Sequence, residues 1–221
     1  MTNLRAYGTP PCAVAVLHGG PGALGEMRPV AERLAATRGV LEPLLSARSV
    51  SGQIEELHAL LAAHAVTPVS VVGFSWGAWL AWCLAARYPE CVRKLILVAT
   101  PGFRPEDGDR TGTARWARLA PEQRERFAKL QASLASGQDA DPQAFAELGR
   151  WIERVDAFDP LPDAGTAHVE YRPDVFQAVW PEAALMGVRG ELLAVGRHVR
   201  GVPRIREVGQ ALIRADRSAS S

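Results

Sequence analysis

Four short apolar runs, each followed by a different kind of segment, constrain this chain more than any other feature. They are AVAVLH (13–18), GVLEPLL (39–45), VSVVGF (69–74) and KLILVA (94–99). Each is rich in Val, Leu and Ile without polar alternation, as expected of strands covered on both faces. Helix-like segments lie between them: EMRPVAERLAATR, SGQIEELHALLAAHA and WGAWLAWCLAARYP. In the second, Ile54, Leu57, Leu60 and Leu61 form one apolar stripe, and Glu55 and Glu56 are expected to face away. Strand and helix alternating in this way imply parallel strands with right-handed crossovers. The expected fold is α/β, a parallel sheet with helices on both faces.

After Pro101-Gly102 the pattern changes. Residues 103–160 are rich in Arg, Glu, Gln and Ala and read as helices broken by SGQDADP and DPLPDAG. The expected organisation is a core over 1–102, a helical cap over 103–180, and a C-terminal remainder of the core with an irregular tail over 181–221. Residues 174–199 read as helix interrupted near Pro181, and no internal repeat is visible.

The chemistry concentrates at Gly73-Phe74-Ser75-Trp76-Gly77, a G-x-S-x-G at the seam between the third strand and its helix. A strand turning abruptly into a helix holds its corner residue in a strained conformation and presents that side chain at the sheet edge. Glycines two residues to either side are required because a Cβ there would meet neighbouring backbone. Ser75 is therefore the candidate nucleophile, at a helix N-terminus that favours developing negative charge. A Ser that merely caps the helix is the plainer alternative.

A second glycine cluster follows the first strand and reads in two ways. Gly20, Gly22 and Gly25 fit G-x-G-x-x-G, and Glu42 falls where a ribose-binding acid would, so a dinucleotide-binding oxidoreductase is one reading. Pro21 lacks an N–H, Glu26 would repel a pyrophosphate, and GFSWG stays unexplained on that reading. In the other, His18-Gly-Gly-Pro-Gly22 is an oxyanion loop. If the first and third strands are neighbours, the backbone N–H groups of Gly20 and Trp76 converge on a carbonyl oxygen as it becomes negative.

HGGPG (18–22) together with GFSWG (73–77) resembles α/β-hydrolases of the proline iminopeptidase type, and AARYPECVRKLILVATPG (85–102) is similar as well. The resemblance covers residues 12–102. It implies a serine nucleophile, an acyl-enzyme intermediate, no metal or organic cofactor, and a small peptide, amide or ester as substrate.

The same resemblance calls for an acid and then a His after later strands. Of the five histidines, His18 belongs to the loop, and His58 and His64 read as surface or helix-end residues. His168 and His198 lack the loop setting of a catalytic base. Asp107 and Asp109 are alternative acids within a turn-like RPEDGDR. The chain thus resembles a core that stops before its last two strands, a truncated, frame-shifted or reduced member. A remnant that binds a ligand or partner without turnover is the alternative function. KLILVA would then be a sheet edge, and self-association through it is expected.

Bulk properties narrow the partners. Lys plus Arg number 25 against 24 for Asp plus Glu, so no strong field draws the chain to nucleic acid or membrane. The three cysteines form no C-x-x-C pair, and no apolar run reaches membrane-spanning length. A soluble cytoplasmic protein is expected.

Overall fold

The computed structural model describes residues 3–135, 141–157 and 169–195. The core elements are β1 (Leu4–Tyr7), β2 (Cys12–Leu17), β3 (Ala23–Leu24), α1 (Arg28–Ala35), β4 (Gly39–Pro43), α2 (Val50–His64), β5 (Val69–Phe74), α3 (Trp76–Arg87) and β6 (Val92–Val98). Then follow α4 (Pro105–Arg118), α5 (Pro121–Ala135), α6 (Pro142–Asp156), β7 (Glu170–Tyr171), α7 (Pro173–Val188) and α8 (Glu191–Val195).

Five strands form the main sheet in the order β1-β4-β2-β5-β6. β4, β2, β5 and β6 are parallel, and β1 pairs antiparallel with β4. Leu4–Tyr7 supply this single antiparallel strand.

Side chains alternate across the sheet. Ala15, Leu17, Leu41 and Val71 pack with α2, α3 and α7, while Val14, Val16, Val40 and Val72 pack with Met27 and Ala31 at α1. Continuous apolar runs therefore serve two cores at once, which is why they lack alternation. A third, smaller core holds α5 and α6 together through Phe127, Leu130, Phe145 and Leu148.

Two local expectations fail for physical reasons. Glu56 does not face away: its carboxylate accepts from the backbone N–H groups of Ser46 and Ala47, each at 2.9 Å. Satisfying two loop amides outweighs full hydration. Nor does Pro181 interrupt the helix, since α7 runs through it from Pro173 to Val188. Val179 and Ala183 on either side of it are buried, and a Cβ on Gly187 would lie 3.2 Å from the Trp79 ring. Packing on α3 offsets the lost helical hydrogen bond.

No helix among the described residues is long and apolar enough to cross a membrane. The three cysteines are buried and free.

Candidate active site

β2 and β5 run side by side, with Leu17 opposite Gly73. From β2 the chain moves to β4 on one flank, and from β5 to β6 on the other. Their carboxyl ends therefore frame the switch point of the sheet, the crevice where ligands bind in open α/β folds. Both HGGPG and GFSWG fall here.

Ser75 occupies the corner between β5 and α3 with φ 51 and ψ −117. A non-glycine residue in such a region carries about 1–3 kcal/mol of strain. Its N–H donates to the Val98 carbonyl at 3.0 Å, so β6 also restrains the corner. The hydroxyl makes no capping hydrogen bond to α3 and the residue is half-buried. The plain capping role is thereby removed.

The flanking glycines are sterically required. A Cβ on Gly73 would strike the Gly77 carbonyl oxygen, and one on Gly77 would lie 2.5 Å from the Leu17 oxygen. The first turn of α3 thus lies directly on the backbone that leads into HGGPG. Trp76 anchors that turn, its ring buried and its Nε1–H donated to Gln53 Oε1 on α2 at 2.9 Å. Its backbone N–H, at the first helical position, has no partner within the helix.

The glycine loop meets this corner from the other side. A Cβ on Gly19 would lie 3.2 Å from Ser75 Cβ and 2.8 Å from Glu26 Oε2. Gly20 has φ 102, and a Cβ there would lie 2.8 Å from the nitrogens of Gly22 and Ala23. Both polar groups of Gly19 are held. Its N–H donates to Glu26 Oε2 at 2.6 Å, and His18 Nδ1 meets its carbonyl oxygen at 2.7 Å. Burial pushes the His18 pKa down, so the ring is neutral and carries its proton on the nitrogen facing that carbonyl.

Burial pushes the Glu26 carboxyl up to about 7, against the Gly19 hydrogen bond, with the Glu153 charge adding to the rise. Sequence reasoning did not assign Glu26 to the site. Its only visible signal was an acid eight residues after His18, which has no meaning until the loop folds back.

The dinucleotide reading loses its supports. The glycine loop is followed by β3, and α1 begins only at Arg28, so the loop does not open a helix that could cradle phosphate. Glu42 is fully buried and accepts from the Tyr7 hydroxyl at 2.6 Å, with Arg5 at 3.7 Å, so it is not offered to a ribose. Instead β3 pairs with β7, and Arg172 N–H donates to the Gly22 oxygen at 2.8 Å. This pairing ties the loop to the segment before α7 and was invisible in two-residue strands.

Among the described residues, none of the other candidate histidines and acids forms a hydrogen bond with Ser75. His58 stacks on Tyr88 with ring centroids 3.8 Å apart, and His64 is exposed at the end of α2. His168 and His198 lie outside the described residues. Asp107 accepts from the Arg104 N–H at 3.0 Å at the start of α4, and Asp109 is exposed. Trp180 stacks between Trp79 and Phe176, Trp151 borders the cap core, and Trp116 is 45% exposed. An open groove between α2 and α7, lined by Ile54, Glu182 and Met186, includes none of the glycine-loop residues.

Among the described residues, His58, Glu90 and Cys91 offer metal-ligating atoms within 4.8 Å of one another. They lie at the amino end of β6, opposite the end of the sheet that carries Ser75.

The alpha/beta hydrolase fold family model matches residues 46–141, an interval that holds GFSWG but is less than half of the chain. No curated protein sequence matches significantly. Among solved structures, an alpha/beta hydrolase fold protein from Burkholderia ambifaria is similar with TM-score 0.53 and 16% identity, over 84% of this chain and 70% of that one. A loop variant of a haloalkane dehalogenase from Bradyrhizobium elkanii gives TM-score 0.51 and 18% identity, over 89% and 69%. An N-acyl homoserine lactonase complexed with N-butanoyl homoserine gives TM-score 0.51 and 13% identity, over 85% and 66%. At such identities the likeness concerns architecture alone. With a mostly parallel sheet flanked by helices and both glycine motifs at its switch point, the chain has the α/β-hydrolase fold.

Proposed function

We propose that the protein is a serine hydrolase acting through an acyl-enzyme on a small peptide, amide or ester, in the manner of proline iminopeptidases. One observation carries this reading: Ser75 is held at positive φ against Gly19, beside the glycine loop and at the amino end of α3. Ser75 Oγ attacks the substrate carbonyl carbon, and its proton passes to a base. The carbonyl oxygen, now negative, accepts from the N–H groups of Gly20 and Trp76. The leaving group departs with a proton, and water then displaces the acyl group from Ser75. His168 and His198 are the histidines left for the role of base. The haloalkane dehalogenase and the lactonase among the structural neighbours agree with hydrolytic chemistry on this fold.

A second reading has its own observation. Among the described residues no histidine hydrogen-bonds the Ser75 hydroxyl. A chain without a base would bind an acyl ligand without turnover, because an unassisted serine is a weak nucleophile near neutral pH. A fluorophosphonate probe separates the two. Labelling of wild type at Ser75, lost in Ser75→Ala, supports the hydrolase, and silence in wild type supports the binding protein.

A further inference from the structure

We infer that Glu26 is a positioning residue of the oxyanion loop, its carboxyl group gripping the Gly19 N–H so that the Gly19–Gly20 peptide presents the Gly20 N–H to Ser75. The catalytic meaning of this grip rests on the serine-hydrolase reading, whereas the grip itself does not.

The loop needs such an anchor. Gly20, Gly22 and Gly25 all have positive φ, and a run of glycines leaves the backbone free to turn either way. Two side chains remove that freedom at Gly19. His18 Nδ1–H holds its carbonyl oxygen and Glu26 Oε2 holds its N–H. In a trans peptide the C=O and the following N–H point in opposite directions. Pinning the Gly19 oxygen on His18 therefore turns the Gly20 N–H the other way. Pinning the Gly19 N–H on Glu26 stops the preceding peptide from rotating in compensation. At 2.6 Å the contact is shorter than the usual N–H···O hydrogen bond.

Glu26 does nothing else that explains its place. It is not the cap of α1, a position held by Met27 without a side-chain hydrogen bond. Its side chain instead turns back into the loop, where a Cβ on Gly19 would be trapped between Glu26 and Ser75. The turn that aims it is closed by Glu26 N–H on the Ala23 oxygen at 3.4 Å and Arg28 N–H on the Gly25 oxygen at 3.2 Å. The cap reaches the same spot. Glu153 of α6 raises the carboxyl further, and Tyr171 of β7 senses both acids, with Arg150 of α6 acting in the opposite sense.

Two measurements test the grip, one dependent on chemistry and one not. The first is the rate of Ser75 labelling by a fluorophosphonate, whose tetrahedral adduct places an oxygen at the oxyanion position. Glu26→Ala is expected to slow labelling by about 100-fold, the usual cost of losing one oxyanion donor. Glu26→Gln keeps an acceptor for the Gly19 N–H and is expected to remain within about tenfold of wild type. The second is the Gly19 amide proton in NMR spectra. In wild type it should titrate with a midpoint near 7, the raised value of the Glu26 carboxyl, and in Glu26→Gln it should not. Labelling of Glu26→Ala at the wild-type rate, or Glu26→Gln falling as low as Glu26→Ala, would overturn the positioning role. A Gly19 amide that does not titrate in wild type would overturn the grip. Silence at Ser75 in wild type would overturn the hydrolase reading instead, and a titrating Gly19 amide would then still establish the grip.

Discussion

β5 and β6 lie in adjacent positions of one sheet, paired from Ser70 opposite Lys94 to Phe74 opposite Val98. Both read as apolar runs, yet their environments differ. Every residue of β5 from Val69 to Gly73 is buried, whereas in β6 Ile96 is 45% and Val98 42% exposed. β5 has a strand on each side, and β6 has one, at the rim of the described sheet. An apolar run thus identifies a strand, but the elements beside it decide how much of its surface leaves water. The difference is also functional. The fully buried strand ends in the strained corner at Ser75, while the rim strand contributes the Val98 oxygen that braces it.

The largest effect is expected at the corner itself. Gly77→Ala would set a Cβ 2.5 Å from the Leu17 oxygen, a backbone atom that cannot swing away. It is expected to lower stability by about 3 kcal/mol in urea unfolding and to abolish Ser75 labelling. A melting curve like that of wild type would show that α3 does not press on β2.

Next, equal truncations on the two strands should have unequal effects. Val71→Ala on β5 removes fully buried methyl groups and is expected to cost about 2 kcal/mol. Ile96→Ala on β6 should cost less than about 1 kcal/mol because much of that side chain is already hydrated. Equal losses would mean that β6 is covered in solution.

The pH dependence of stability sharpens the link between this corner and its glycine loop. Glu26 has its folded pKa raised from 4.5 to about 7, so the folded state holds a proton that the unfolded chain has released in that interval. Its contribution is full below pH 4.5 and is lost as pH rises to about 7. Relative to Glu26→Gln, wild type is expected to lose about 2 kcal/mol across that window, the full shift being discounted for partial solvent access. Chemical denaturation at several pH values measures this, and a constant offset between the two proteins would contradict it.

The smallest effect concerns association. Exposed Ile96 and Val98 on β6, the outer strand of the described sheet, predict concentration-dependent self-association in solution scattering. Ile96→Lys should shift the population toward monomer while changing stability by less than about 0.5 kcal/mol. A wild-type protein that stays monomeric at high concentration would argue against this edge as a contact surface.

Particular residues show where reading the chain succeeded. The four strands, the three helices between them and the meeting of HGGPG with GFSWG follow from runs of Val, Leu and Ile and from glycines at fixed offsets. Such signals are local: a strand–helix corner needs small residues within two positions of itself, and those positions are visible in a line of letters. Glu56, Pro181 and Glu26 show where it failed. Each was judged by its own chemistry, as solvated, helix-breaking or anion-repelling, and each has a role set by a distant partner or by packing.

Local physical chemistry was therefore enough to specify an α/β chain with a kinked serine facing a glycine loop, since backbone sterics and apolar periodicity act between near neighbours. Which acid grips that loop, how β7 stitches it beside the cap, and why one apolar strand is buried while its neighbour meets water all depend on contacts between residues far apart in the chain. Those contacts exist only after the sheet has closed and desolvated its core, when a lone carboxyl or an unpaired amide becomes costly enough to seek its partner.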